Sequence, residues 1–142
     1  MIDAGSAIKQ AYVALLATLT YQDKPVKVYA QMAPSGAVAP YVILGPWGSN
    51  SDNTKTSQGQ KGQVTLQVID RMPDALYSEV RANAIASSVT TLLKPEVDAE
   101  PLVVTGFSHW SKIVGVTERT EPNPKDTVYR KIITVEHTLC QD

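Results

Sequence analysis

Pro40-Tyr41-Val42-Ile43-Leu44-Gly45 is a short apolar run with the length of a buried strand, and Gln63-Val64-Thr65-Leu66-Gln67-Val68 alternates polar and apolar side chains. In an extended chain successive side chains point to opposite faces, so Val64, Leu66 and Val68 share one face of a half-buried strand. The two runs predict a hairpin whose strands are joined by the polar stretch Ser49 to Lys61. Such a stretch is expected to be a long polar loop at about residues 46–61, since loops of this length in a compact domain serve binding or stay mobile. Pro46-Trp47-Gly48 opens it with an aromatic side chain, and Ser, Asn, Thr and Gln dominate the rest. An aromatic anchor beside small hydrogen-bonding side chains suits a partner's surface, which makes Trp47, Asn50, Asp52, Lys55 and Gln58 candidate interaction residues.

Working toward the N-terminus, Ile8, Ala11, Tyr12, Leu15, Leu16 and Leu19 recur at three and four residues and line one face of a helix. Val26, Val28 and Ala30 then alternate with Lys27, Tyr29 and Gln31 as a strand, and Pro34-Ser35-Gly36 marks a turn. Working toward the C-terminus, Pro73-Asp74 reads as a helix start with Asp74 as N-cap, followed by an apolar stripe through Leu76, Val80, Ile85, Val89, Leu92 and Leu93 that Lys94-Pro95 stops. Strand regions Leu102 to Thr117, broken by Gly106 and Gly115, and Thr127 to Leu139 close the chain around the polar turn Glu118 to Pro124. In the last strand Tyr129, Ile133, Val135 and Leu139 take the core face, with Lys131 as its exception. Two helices and about five strands with short connections predict an α+β single domain over 1–142: a mainly antiparallel sheet with both helices packed on one face.

Composition narrows the function. The 142 residues carry a net charge of −1, with 43% hydrophobic and 19% charged side chains, as in an ordinary globular domain. Lysines and arginines are scattered and form no stripe, so no sequence-specific nucleic-acid contact is expected. No apolar segment reaches membrane-spanning length, and the N-terminus lacks the basic-then-apolar pattern of a signal peptide. A single cysteine, Cys140, closes neither a disulfide nor a Cys-based metal site and fits a reducing compartment.

Signatures of chemistry are missing as a group: no nucleophile elbow, phosphate loop, zinc-protease helix or dinucleotide fingerprint occurs. Of the two histidines, His137 falls on the core face of its strand and reads as a structural side chain. His109 sits in Gly106-Phe107-Ser108-His109-Trp110-Ser111, where Trp110 either packs inward, as strand aromatics usually do, or stands exposed as an interface anchor. His137 and Glu136 beside Cys140 lie too close along one strand to converge on a point. Glu96, Asp98 and Glu100 between Pro95 and Pro101 read as a solvated linker. Neither a metal nor a cofactor is expected.

The order of an N-terminal amphipathic helix, Pro-Tyr-Val-Ile-Leu-Gly at 40–45, Asn53-Thr54-Lys55-Thr56, the strand Gln63 to Ile69 and a helix soon after Arg71 resembles the tail-terminator, or tail-completion, proteins of long-tailed bacteriophages. The resemblance covers nearly the whole chain. It implies helices on one face of an antiparallel sheet, no catalytic residues, and a structural virion protein found in the tail or neck and, during assembly, in the host cytoplasm. It further implies a homo-oligomeric ring, usually a hexamer, at the head-proximal end of the tail, which stops tube polymerisation. The implied partners are further copies of the chain, the tail tube protein and the head connector or head-closure protein. Alternatives are a head-closure or other neck protein, or, in a different class, a small hydrolase or ligand-binding domain using His109, Ser111 or a pocket near Trp47.

Overall fold

The structure is a computed structural model that describes residues 4–53, 58–73, 79–96, 100–122 and 126–141. Helix α1, Ala4–Leu16, buries Ile8, Ala11, Tyr12 and Leu16, the stripe expected from its spacing. A two-residue hairpin follows, β1 at Thr20–Tyr21 and β2 at Lys24–Pro25, and leads to β3 at Lys27–Ala30 and β4 at Tyr41–Leu44. Strands β5, Gly48–Asn53, and β6, Gln58–Pro73, precede helix α2, Val80–Leu93; β7, Phe107–Pro122, and β8, Asp126–Gln141, complete the chain.

The main sheet has the order β3-β4-β6-β8-β7, and β5 pairs with β6 off that path. All of its pairings are antiparallel except β3 with β4, which run parallel across the connection 31–40. The expected hairpin between the two apolar runs is present, with Val42 opposite Val68 and Leu44 opposite Leu66. Both helices lie against the face that carries Val42, Leu44, Val64, Leu66, Val68, Ile133, Val135 and Leu139, and these side chains form one core with Ile8, Tyr12, Ile85 and Val89. The alternation expected in the last strand is observed, and Lys131 joins the core face by reaching Asn83 Oδ1 on α2 at 2.9 Å and Glu118 on β7 at 3.4 Å.

Several sequence expectations need correction. The polar stretch at 46–61 is not a loop: residues 48–53 and 58–61 are strand, and Lys55 lies outside the described residues. The polar composition is overridden by backbone pairing on both sides, because Gly59 to Gly62 of β6 bond to His137–Cys140 of β8 and also template β5. For the same reason β7 and β8 continue to Pro122 and from Asp126, through much of the expected turn at 118–124. The strand after α2 starts at Phe107 rather than Leu102, following Gly106 at φ +88°, and the break expected at Gly115 is a register shift between Ile113 and Gly115. Helix α2 begins at Val80 with Glu79 at the N-cap position and no side-chain cap, and Val80 is exposed; the expected cap at Asp74 and the stripe residue Leu76 lie outside the described residues.

The β1–β2 turn carries a local conflict. Gln22 and Asp23 both adopt left-handed backbone conformations, φ +50° and +65°, as the first and second central residues of a two-residue hairpin. That turn geometry favours Asn-Gly, because a side chain at φ > 0 is strained. Asp23→Gly is therefore expected to raise stability by about 0.5–1 kcal/mol, measured as a higher urea midpoint with unchanged slope. A lower midpoint would mean that Asp23 makes a contact that outweighs the strain.

Candidate functional site

Four side chains converge from four parts of the fold: α1, β8, β7 and the connection between α2 and β7. Tyr12 on α1 and His137 on β8 are fully buried, and the Tyr12 hydroxyl lies 2.5 Å from His137 Nε2. His137 Nδ1 lies 2.8 Å from Nε2 of His109, whose ring stacks on it from β7. Among the described residues His109 Nδ1 is buried with no partner at good hydrogen-bond geometry; it faces Glu100 Oε2 at 4.0 Å, and the Leu102 backbone also acts on the ring. Glu100 in turn accepts hydrogen bonds from the Ser111 backbone N–H and hydroxyl, each 2.9 Å, and from Lys94 Nζ.

Burial sets the protonation of this row. It removes both imidazolium forms from water, so His137 is pushed down to about 3, with His109 adding to the effect, and His109 is lowered as well. Burial pushes the Tyr12 phenol far up, keeping it neutral. At Glu100 burial works upward, but the bonds from Lys94 and Ser111 prevail and hold the carboxyl below its usual range. With both rings neutral, each has one N–H. Placing Tyr12 O–H on His137 Nε2 and His137 Nδ1–H on His109 Nε2 leaves His109 Nδ1–H directed at the Glu100 carboxylate; the reverse order would aim a lone pair at that charge.

Trp47 closes the row from the side. Its ring lies 6.0 Å from that of His137 and packs against the core, half-buried. Gly62, opposite His137 in the β6–β8 register, supplies the space: a Cβ there would meet the Trp47 ring at 2.6 Å and the Gly48 carbonyl oxygen at 2.5 Å. Gly62→Ala is expected to destabilise the fold by about 1–3 kcal/mol through overpacking, read as a lower thermal midpoint and altered tryptophan fluorescence. An unchanged midpoint would show that the ring moves aside freely.

The structure separates the residues that the sequence grouped. Trp47 is tied to the core, whereas Trp110 stands on the opposite face of the sheet at 54% exposure, so the expectation that it packs inward is corrected. Its register partner explains this: Trp110 pairs with Thr138, on the face that the helices leave uncovered, while its neighbours His109 and Ser111 pair with Leu139 and His137. Asn50 and Asp52 lie on β5 and Gln58 begins β6. The expectation of a solvated linker at 96–100 fails at Glu100, whose carboxylate is held by Lys94 and Ser111. Asp98 lies outside the described residues.

The hydrolase alternative requires a nucleophile beside its base. Ser111 and His109 instead both face Glu100, and the serine hydroxyl donates to the carboxylate rather than to an imidazole. Among the described residues, the cleft bordered by Trp47 and Gly62 and the one bordered by Lys94 and Ser111 are lined by neither imidazole. The row is thus an internal polar strut that fastens α1 to the β7–β8 pair. Sequence reasoning found its histidine on the core face but not the row, because Tyr12 and His137 stand 125 residues apart.

Comparison with known proteins places this architecture. Among solved structures, a chain described as "Virion of native gene transfer agent (GTA) particle" is similar to it, with a TM-score of 0.62 and 21% identity over 97% of this chain and 94% of that chain; at this identity the likeness shows the fold. No curated protein matches the sequence. The family model described as "Tail completion protein gp17" matches residues 7–108, from α1 to the first residues of β7. A match over most of the chain settles the family: the chain belongs to the tail completion protein gp17 family and is a structural protein of the virion tail.

Proposed function

We propose that the chain is a tail terminator: a ring of identical subunits at the head-proximal end of the tail that ends tube polymerisation and joins the tail to the head connector or head-closure protein. The family match over residues 7–108 carries this reading. The fold supports it, because the helices cover one face of the sheet while Trp110 on the other face and Val116 to Thr120 on β7 stand exposed for partners, and the internal polar row is used for fastening. A subunit whose two sheet ends differ meets its neighbour head to tail, and such contacts close into a ring when the rotation between copies divides a full turn. A net charge of −1 leaves little repulsion between copies. A hexamer is the expected closure, formed in the host cytoplasm before the tail joins the head. Particles made without the protein should show tails of abnormal length unattached to heads by electron microscopy. Normal tails joined to heads would end the proposal.

A further inference from the structure

The end of the sheet formed by β3 carries a cleft of about 500 Å³ between the β1–β2 turn and the connection 31–40. Lys24, Lys27 and Arg81 line it, and among the described residues no carboxylate does. Arg81 is committed to Asp70, whereas Lys24 and Lys27 have no ion pair among the described residues. Tyr21, Tyr29 and Pro40 supply its apolar surface. Backbone strain gathers at the same place, at Gln22, Asp23 and Gln31, all with φ between +50° and +69°. Strain of this kind persists where the surroundings enforce it and concentrates at contact sites.

The opposite end of the sheet is β7, an edge strand. From Val116 to Thr120 every residue is exposed, on both faces, and the register shift at Ile113 and Gly115 sets this half apart from the first half, which alternates buried or half-buried residues with exposed ones. It presents Val116, Thr117 and Thr120 along an extended edge, with Glu118 and Glu121 as acids on its two faces and Arg119 as its one base.

We propose that the cleft beside β3 receives the outer edge of β7, residues Val116 to Glu121, of a second copy of the chain. This rests on the ring reading and names the two surfaces that would meet in it. The surfaces lie at opposite ends of one sheet, so each copy offers both and the contact repeats in one direction. The charges are complementary on balance: Glu118 and Glu121 outnumber Arg119 on the edge, and the cleft's two lysines have no ion pair among the described residues. Within the subunit these acids pair with Lys131 at 3.4 Å and Arg130 at 2.9 Å. Those are surface pairs, cheap to exchange for new partners. The β-branched side chains of the edge would pack on the two tyrosines, and the unpaired backbone of an edge strand would find a neighbour there.

The full chain tests this by native mass spectrometry and sedimentation, in three variants beside the wild type: Lys24→Glu with Lys27→Glu, Glu118→Lys with Glu121→Lys, and all four changes together. Each pair alone should raise the midpoint concentration of assembly at least tenfold, and the four together should restore most of it. Thermal melting checks folding, and Lys24→Gln with Lys27→Gln replaces a charge reversal that does not fold. Assembly indifferent to both pairs, or a fourfold variant no better than either pair, overturns these surfaces and leaves the ring reading standing. A wild type that stays monomeric at every soluble concentration overturns the ring reading and the docking with it.

Discussion

Arg81→Leu is expected to lower the stability of the subunit by about 3–5 kcal/mol, a large part of what a domain of this size has. Its partner Asp70 ends the apolar stretch of β6 and is 1% exposed. The guanidinium reaches it as a fork from the first turn of α2, Nε to Oδ2 at 2.9 Å and Nη2 to Oδ1 at 2.5 Å, and the Arg71 backbone N–H adds a bond of 2.8 Å. The hydrogen bond and the charge of Asp70 together raise the Arg81 pKa, although burial opposes them. Removing the fork leaves a carboxylate out of water with a single backbone donor among these contacts, and that desolvation, rather than the lost attraction, sets the size of the effect. Lysine should not substitute, since a point charge cannot make two parallel bonds. The double variant Asp70→Leu with Arg81→Leu should recover most of the loss, because it removes the stranded charge. Urea unfolding of the four chains gives the coupling directly. If Arg81→Leu costs less than about 1 kcal/mol, or the double variant is additive, the pair does not hold α2 to the sheet.

That pair also shows where sequence reading stops. Elements were legible wherever one face is apolar: the stripe of α1, the apolar register of β4 with β6, and the odd positions of β8 follow from side-chain period alone. What escaped was set by neighbours in space. Residues 48–53 are polar throughout and become strand because β6 offers them a backbone edge. The parallel pairing of β3 with β4 depends on how the connection 31–40 crosses, which no period encodes. The candidate site divides the same way. Trp47 was visible as an aromatic beside glycine, but its seat depends on Gly62, whose missing side chain faces it across the β5–β6 pair. Trp110 could be placed only by register, since one step along β7 would have turned it into the core. Asp70 and Arg81, eleven residues apart, carry no periodic signal, and neither do Tyr12, His137, His109 and Glu100.

The second large effect is an acid-side loss of stability from the buried histidines. His137 in the fold titrates at about 3, against 6.5 when unperturbed, so between these values the unfolded chain binds a proton that the folded chain refuses. Stability is therefore full above about pH 6.5 and falls as pH drops, by at most about 1.4 kcal/mol per unit for this one group. His109, lowered as well, steepens the fall, and Glu100, held below its usual range, adds to it once the unfolded carboxyl begins to protonate. Tyr12 acts at the other end. Its raised pKa means that the unfolded phenol ionises first above about pH 10 and stability is lost as pH rises further. Unfolding free energies measured from pH 4 to 11 should form a plateau with a steep acid shoulder, and the His137 imidazole should show no NMR titration near 6.5. In Tyr12→Phe with His137→Leu the acid slope should shrink by the His137 share; the phenol and its acceptor leave together, while His109 Nε2 loses its donor and lowers overall stability by about 1–3 kcal/mol without restoring the slope. A wild type equally stable at pH 7 and pH 4.5 would mean that solvent reaches the imidazoles. The row would then be an open polar channel through the subunit instead of a strut.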